Sequence, residues 1–169
     1  MPSFVSSYVL CITRISRFFF NIASLIIFLI VFSMLYEVIS RYVFQAPTTW
    51  GMELATLLFG PYFLLGGAYL LHMRGHVNLD LLKDRLSDSQ QRMLDIFSFV
   101  IIIIFSIIML VYSLPPAIEA MEYKETSFSA WNPPIWPVKF AIPVSVLLLG
   151  LQSLAEMLQV FFGKGVNKP

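Results

Sequence analysis

The most restrictive feature of the sequence is a mostly apolar run that begins directly after Trp50 and carries a carboxylate, Glu53, near its start. The run, residues 51–71, is long enough to cross a hydrocarbon layer of about 30 Å at 1.5 Å per residue. It is apolar on every face, whereas a helix on the surface of a soluble domain keeps a polar face. It ends at a polar, cationic segment, residues 72–76, where a spanning helix would leave the bilayer. The chain is therefore predicted to be a membrane protein.

Composition agrees with a helical bundle embedded in lipid. Hydrophobic residues make up 58% of the 169 residues and charged residues only 12%, whereas soluble domains average about 25% charged residues. The net charge of +1 gives no basic face for nucleic acid. The single cysteine, Cys11, excludes an intrachain disulfide and a metal site built from several cysteines.

Four transmembrane helices are predicted in one all-α membrane domain, residues 1–169. An amphipathic segment is expected at the interface before the first span, and a second one along the membrane surface after the second span. A signal peptide is rejected, because the apolar stretch after Arg17 is too long and no Ala-x-Ala site follows. A capping box predicts that the third helix starts near Asp88. The two prolines Pro115-Pro116 predict that this helix stops before them. The predicted segments are 1–17 (interfacial), 18–40, 51–71, 78–86 (interfacial), 93–114 and 138–162.

The distribution of lysine and arginine predicts the orientation of the chain. Of the 11 Lys and Arg residues, Arg41, Lys124 and Lys139 fall on one predicted side of the membrane, and all the others fall on the other side. Basic residues accumulate in cytoplasmic loops. Both termini and the connection between the second and third spans are therefore predicted to be cytoplasmic.

Two histidines at the end of the second span have the spacing of possible metal or haem ligands. His72 and His76 are four residues apart, but Gly75 lies between them and no other span carries a histidine. We interpret them as residues that cap the helix or contact lipid headgroups. The sequence contains no Ser/His/Asp set, phosphate-binding loop or HExxH motif, so it offers no catalytic residues and no cofactor site.

Charged residues near one end of the predicted spans are more informative. Glu37, Arg41, Glu53 and Lys139 are expected at one membrane depth, where two acids and two bases balance. Glu37 and Arg41 are four residues apart on one helix and can pair. We interpret the set as interhelical pairs or as contacts with a partner subunit; an ion pathway is the alternative. Glu156 has no obvious partner in its own span.

Short motifs in a particular order connect the chain to a known family. They are Arg41-Tyr42-Val43-Phe44, Trp50-x-x-Glu53, Gly67, Arg74-Gly75-His76-Val77 and Asp80-Leu81-Leu82. In this order and spacing they resemble the small membrane subunit of TRAP (tripartite ATP-independent periplasmic) transporters, the DctQ-like family. The motifs cover the first two-thirds of the chain, while the chain length and the four-span topology agree throughout.

The resemblance implies a subunit of a sodium-driven importer of organic acids, such as C4-dicarboxylates or sialic acid, in the bacterial inner membrane. It implies two protein partners: a large DctM-like membrane subunit, which carries the substrate and sodium sites, and a periplasmic binding protein, which delivers the substrate. The small subunit would be a scaffold in the lipid bilayer without a cofactor of its own. The transported acid is not specified by this chain.

The stretch from Trp50 to Leu82 is expected to make the main contact with the large subunit, because paired glycines such as Gly66-Gly67 allow close helix packing. The rival interpretation is a stand-alone four-helix exporter of the small multidrug resistance type; a membrane redox enzyme is a third class. Such exporters are shorter, and some insert both ways with little lysine and arginine bias. The candidate residues for a partner interface or a structural charge cluster are Glu37, Arg41, Trp50, Glu53, Gly67, Arg74, His76 and Lys139.

Overall fold

The computed structural model describes residues 3–73 and 87–162, and most of them are helical. Four stretches of helix are long and apolar enough to cross a membrane, the last of them made of a short helix and the long helix that follows it. The predicted all-α, four-span fold is therefore confirmed. The helices are α1 (Ser3–Tyr42), α2 (Gly51–His72), α3 (Asp88–Glu122), α4 (Trp136–Lys139) and α5 (Ala141–Phe161).

The first helix is longer than a membrane requires. Residues of the predicted interfacial segment 1–17 and of the predicted span 18–40 belong to one helix, α1, with no break between them. At 1.5 Å per residue, its 40 residues extend over about 60 Å, twice the thickness of the hydrocarbon layer. The placement of its first turns at the membrane surface stays a prediction.

α1 and α2 are neighbours joined by a short turn. The hydroxyl of Thr48 in this turn accepts a hydrogen bond from the backbone N–H of Gly51, the first residue of α2, at 3.2 Å. Further along the pair, the rings of Phe20 and Tyr69 pack with their centroids 5.0 Å apart.

The third helix begins as predicted but ends later. α3 starts at Asp88, and the side chain of Gln90 accepts a hydrogen bond from the Ser87 N–H at 3.0 Å. The expectation that the helix stops before Pro115 and Pro116 is wrong, since α3 continues to Glu122. Each proline removes one backbone hydrogen bond from a helix. Within the next turn, however, two alanines are almost completely buried (Ala117 1% and Ala120 2% exposed), and this packing stabilises the helical path.

The last span begins with a separate short helix. α4 carries Pro137 near its start, where a missing N–H is tolerated, and Phe140 separates it from α5. Helical structure therefore starts two residues before the predicted boundary at 138 and includes one interruption.

α5 lies at the centre of the four spans. It packs against α1, α2 and α3, whereas α3 packs mainly against α5 and the short α4. Large apolar side chains on α1 and α3 are left uncovered by the described residues, among them Phe28, Phe32, Phe97 and Ile107. The buried residues of α5 are Ala141, Pro143, Ser145, Val146, Leu148, Gln152, Ser153, Ala155 and Glu156.

The contact between α3 and α5 depends on a glycine. A Cβ atom at Gly150 would lie 3.1 Å from the Cβ of Ser106 on α3, which is tighter than ordinary van der Waals contact. A Gly150→Leu variant should therefore force the two helices apart and lower the free energy of unfolding by about 1–3 kcal/mol. Thermal unfolding of the isolated chain in mild detergent measures this loss.

Gly60→Leu is the matched control for this variant, because a Cβ there meets no atom within 4 Å. Both substitutions gain helix propensity, and the restriction that Pro61 places on the preceding residue can only lower the stability of the control. A lower stability of Gly150→Leu than of Gly60→Leu therefore reports the clash with Ser106. Equal melting temperatures for the two variants would show that α3 can shift away from α5 freely.

Three predicted features lie outside the described residues. They are the interfacial helix 78–86 and two candidate site residues, Arg74 and His76.

Candidate functional site

Two groups of interacting polar side chains lie at opposite ends of α2. We call the end that contains Trp50 and Glu53 the Trp50 end, and the end that contains Tyr69 and His72 the His72 end. According to the predicted orientation, the Trp50 end is periplasmic and the His72 end is cytoplasmic.

Glu37 connects the last turns of α1 to the turn that follows. Its side chain pairs with Arg41, which confirms the pairing expected from their spacing; the Arg41 Nε donates to its Oε1 at 3.0 Å. Its other oxygen accepts hydrogen bonds from the backbone N–H of Thr48 at 3.0 Å and from the Thr48 hydroxyl. Only 2% of Glu37 is exposed. The carboxylate is therefore fully engaged in holding the α1–α2 turn.

Trp50, directly before α2, also contacts α1. Its ring stacks on that of Tyr36 in α1, with the centroids 5.4 Å apart and the planes 24° apart. Tryptophan and tyrosine are enriched where a membrane meets water. The pair thus marks the boundary of the hydrocarbon layer at the Trp50 end.

Glu53 holds the long connection between α3 and α4. One of its oxygens accepts a hydrogen bond from the Ser127 hydroxyl, and the other accepts one from the Ser129 hydroxyl at 2.6 Å. The loop carries further internal bonds: the Phe128 N–H donates to the Asn132 side chain at 3.1 Å, and the Asn132 N–H to the Ser129 hydroxyl at 2.9 Å. The α2 carboxylate is thus the anchor of a folded loop.

Three residues of this loop have left-handed backbone conformations. Lys124 has φ 48°, Phe128 has φ 53° and Asn132 has φ 52°. Asparagine tolerates this region, but a bulky residue such as phenylalanine does so only when its surroundings impose it. Phe128 is also 87% exposed, so packing of its own side chain does not fix the conformation. We attribute the conformation to the bond from the Phe128 N–H to Asn132 and to the bonds from the neighbouring serines to Glu53.

The four charged residues predicted to form one balanced cluster lie at the same end but in three separate groups. Glu37 pairs with Arg41, Glu53 binds serine hydroxyls, and Lys139 pairs with Glu125 from the α3–α4 loop. The expectation that Glu53 balances a base is therefore wrong for the described residues. Polar contacts to hydroxyls satisfy this carboxylate instead.

The His72 end contains a chain of buried polar side chains that links three helices. Gln152 of α5 is completely buried; its Oε1 accepts from the Ser16 hydroxyl at 3.0 Å, and its Nε2 lies 3.3 Å from the Thr13 hydroxyl. The same Nε2 donates to Glu156 at 2.9 Å. Glu156, which has no evident partner in the sequence, also contacts Nδ1 of His72 on α2 at 2.6 Å. We call these five residues the buried polar chain.

The buried polar chain does not have the composition of a metal site. No group of three or more His, Cys, Asp or Glu side chains that could hold a metal ion exists within residues 3–73 and 87–162. His72 is committed to Glu156 instead of capping its own helix, and His76 lies outside the described residues. The arrangement holds α1, α2 and α5 together.

The structure reveals contributors that the sequence analysis missed. Gln152 lies four residues before Glu156 in a mostly apolar span, and such a polar pair in a membrane helix usually faces a protein neighbour. That spacing could have identified Gln152 as the partner of Glu156. The serines that bind Glu53 carry no comparable signal, because Ser127 and Ser129 are separated from it by more than 70 residues.

Comparison with known protein families identifies a family that matches the chain. The profile described as "Tripartite ATP-independent periplasmic transporters, DctQ component" matches residues 30–163, which is most of the chain. No curated protein sequence matches the chain.

Proposed function

Because the chain belongs to the family of DctQ components of tripartite ATP-independent periplasmic transporters, we propose that it is the scaffold that holds a large DctM-like subunit in the bacterial inner membrane. Together with a periplasmic binding protein, the assembly would import an organic acid, such as a C4-dicarboxylate or sialic acid, driven by sodium. The sodium and substrate sites would lie on the large subunit.

The observation that carries this proposal is the engagement of the carboxylates near the span ends. Glu37, Glu53 and Glu156 each bind side chains or backbone of this same chain. A carboxylate that carries an ion through a membrane must exchange its partners, whereas these connect helices and turns. They support a structural role over an ion pathway in this subunit.

One face of α2 suits a close contact with another membrane helix. Gly60 and Gly67 are seven residues apart and so lie on the same helical face, and a Cβ at either position would meet no atom of the described chain within 4 Å. Helices in lipid associate through close packing, for which small residues leave room. We place the large subunit against this face.

A Gly67→Leu variant tests the placement. A Cβ at Gly67 meets no atom of the described residues within 4 Å, so we expect the fold and the thermal stability of the isolated chain to stay nearly the same. Against a closely packed partner helix it should clash, at a cost of about 1–3 kcal/mol, and recovery of the large subunit should fall roughly tenfold. Co-purification of the two subunits in mild detergent, with the small subunit tagged, measures this.

Ser98→Leu is the control, because Ser98 is an exposed small residue on another span, α3. It should leave co-purification unchanged. If Gly67→Leu and Ser98→Leu retain the large subunit equally well, the α2 face is not the interface. If the wild-type chain co-purifies with no large membrane subunit, the scaffold proposal itself fails.

A further inference from the structure

A single arginine at the His72 end is held in place by an aromatic ring. The Nε of Arg17 donates a hydrogen bond to the Tyr69 hydroxyl at 3.0 Å, and its guanidinium carbon lies 5.5 Å from the centre of the same ring. This is within the range of a cation–π contact. A guanidinium has five N–H donors, and Tyr69 takes only one of them. Arg17 is an exposed residue, so its remaining N–H groups are accessible to a ligand.

The ring that holds Arg17 is itself fixed by the interior. Tyr69 packs on Phe20 of α1, and its centroid lies 6.0 Å from that of His72. His72 is in turn bound to Glu156 of the buried polar chain. Arginine usually loses much side-chain freedom on binding a ligand. Here the hydrogen bond and the ring contact with Tyr69 already restrict it, so the guanidinium is preorganised.

The depth of Arg17 follows from the length of α1. Residues 18–36 contain no ionisable side chain except the phenol of Tyr36. Twenty residues separate Arg17 from Glu37, which is about 30 Å along a helix and equals the thickness of the hydrocarbon layer. Since Tyr36 and Trp50 mark one boundary of that layer, Arg17 lies at the other. The lipid phosphates lie about 5 Å beyond this boundary, within reach of an arginine side chain that extends towards the headgroups.

The charge at this position is not neutralised within the described residues. Neither Arg17 nor Arg14 forms an ion pair with any carboxylate there. Arg14 is also exposed, one turn further from the membrane centre, and about 60° from Arg17 around the helix. Two neighbouring guanidinium groups with free donors match a phosphate, which accepts several charge-assisted hydrogen bonds.

We propose that Arg17, held by Tyr69, and Arg14 form a binding site for the headgroup phosphate of an anionic phospholipid in the leaflet at the His72 end. Basic pockets between spanning helices are a known means of anionic lipid recognition. The depth favours a lipid over a soluble anion, because the arginines lie at the edge of the hydrocarbon layer. The site is separate from the α2 face on which we place the large subunit.

Lipid retention tests the site directly. The full chain is reconstituted in nanodiscs with equal amounts of phosphatidylglycerol and phosphatidylcholine, extracted in mild detergent, and its bound lipids are quantified by mass spectrometry. Arg17→Gln should reduce the retained phosphatidylglycerol roughly fivefold to tenfold, with phosphatidylcholine unchanged. Tyr69→Phe removes the hydrogen bond but keeps the ring, so it should give a smaller loss.

Arg92→Gln is the matched control, since Arg92 is an exposed arginine near the same end, on α3. This variant should retain as much phosphatidylglycerol as the wild type. Equal phosphatidylglycerol in Arg17→Gln and wild type would overturn the proposal. So would displacement of the lipid by millimolar inorganic phosphate, which would indicate a soluble anion. Loss of the lipid on assembly with the large subunit would likewise overturn it, since the arginines would then face a protein.

Discussion

Replacing Gln152 with alanine should lower the free energy of unfolding by roughly 2–3 kcal/mol. The side chain is completely buried and contacts Ser16 and Thr13 of α1 as well as Glu156 of its own helix. Each interhelical hydrogen bond in a membrane contributes only about 0.6 kcal/mol on average. The variant, however, also leaves a cavity and removes the donor that Gln152 supplies to Glu156.

The melting temperature of the isolated chain, followed by circular dichroism in mild detergent, should fall by several degrees. Gln159→Ala is a matched control: it changes the same residue type on the same helix, at a position that is only half-buried. A Gln152→Leu variant separates volume from polarity, because it refills most of the cavity but leaves the same polar partners unsatisfied. If Gln152→Ala and Gln159→Ala have the same melting temperature, the hydrogen bonds of Gln152 do not stabilise the chain.

Replacing Glu53 with alanine should release the α3–α4 loop without unfolding the spans. The carboxylate of Glu53 accepts hydrogen bonds from both Ser127 and Ser129, and no other described side chain replaces it there. Without it, the left-handed conformation of Phe128 loses its support. Amide hydrogen exchange in residues 125–133 should then accelerate roughly tenfold or more, as measured by mass spectrometry, while exchange in α2 and α5 stays slow.

Glu122→Ala serves as the control, because Glu122 is an exposed acid just before the same loop. Its exchange pattern should match that of the wild type. A Ser127→Ala/Ser129→Ala double variant should reproduce the effect of Glu53→Ala, and adding Glu53→Ala to it should change little further. Unchanged exchange in Glu53→Ala would mean that the backbone bonds of the loop are sufficient to order it.

The order of the α3–α4 loop matters for assembly as well as for folding. Under the predicted orientation, the Glu53 loop is on the periplasmic side, where the binding protein of the proposed transporter would arrive. An ordered loop presents its exposed side chains in one arrangement and so reduces the entropy lost on contact with a partner. The scaffold role that we propose thus depends on both ends of the spans: the buried polar chain at one, and the Glu37 and Glu53 contacts at the other.

Sequence alone determined those features of the protein that depend on local chemistry. A long apolar run can only be a spanning helix, because lipid offers no partners for unpaired backbone groups, and so the four spans were predictable. The Glu37–Arg41 pair follows from a spacing of four on one helix, and the start of α3 follows from its capping residues.

Only the tertiary structure decided which spans meet and which side chains they bring together. In lipid, a helix face that packs against protein can be as hydrophobic as one that faces acyl chains, so hydropathy did not reveal that α5 is central or that α3 packs mainly on it. The partners of Glu53 and Glu156 come from distant parts of the chain. The path of α3 through Pro115 and Pro116 likewise depends on burial of Ala117 and Ala120. Contacts of this kind depend on the position along each helix at which two helices cross and on the crossing angle. The spacing of residues within one helix determines neither.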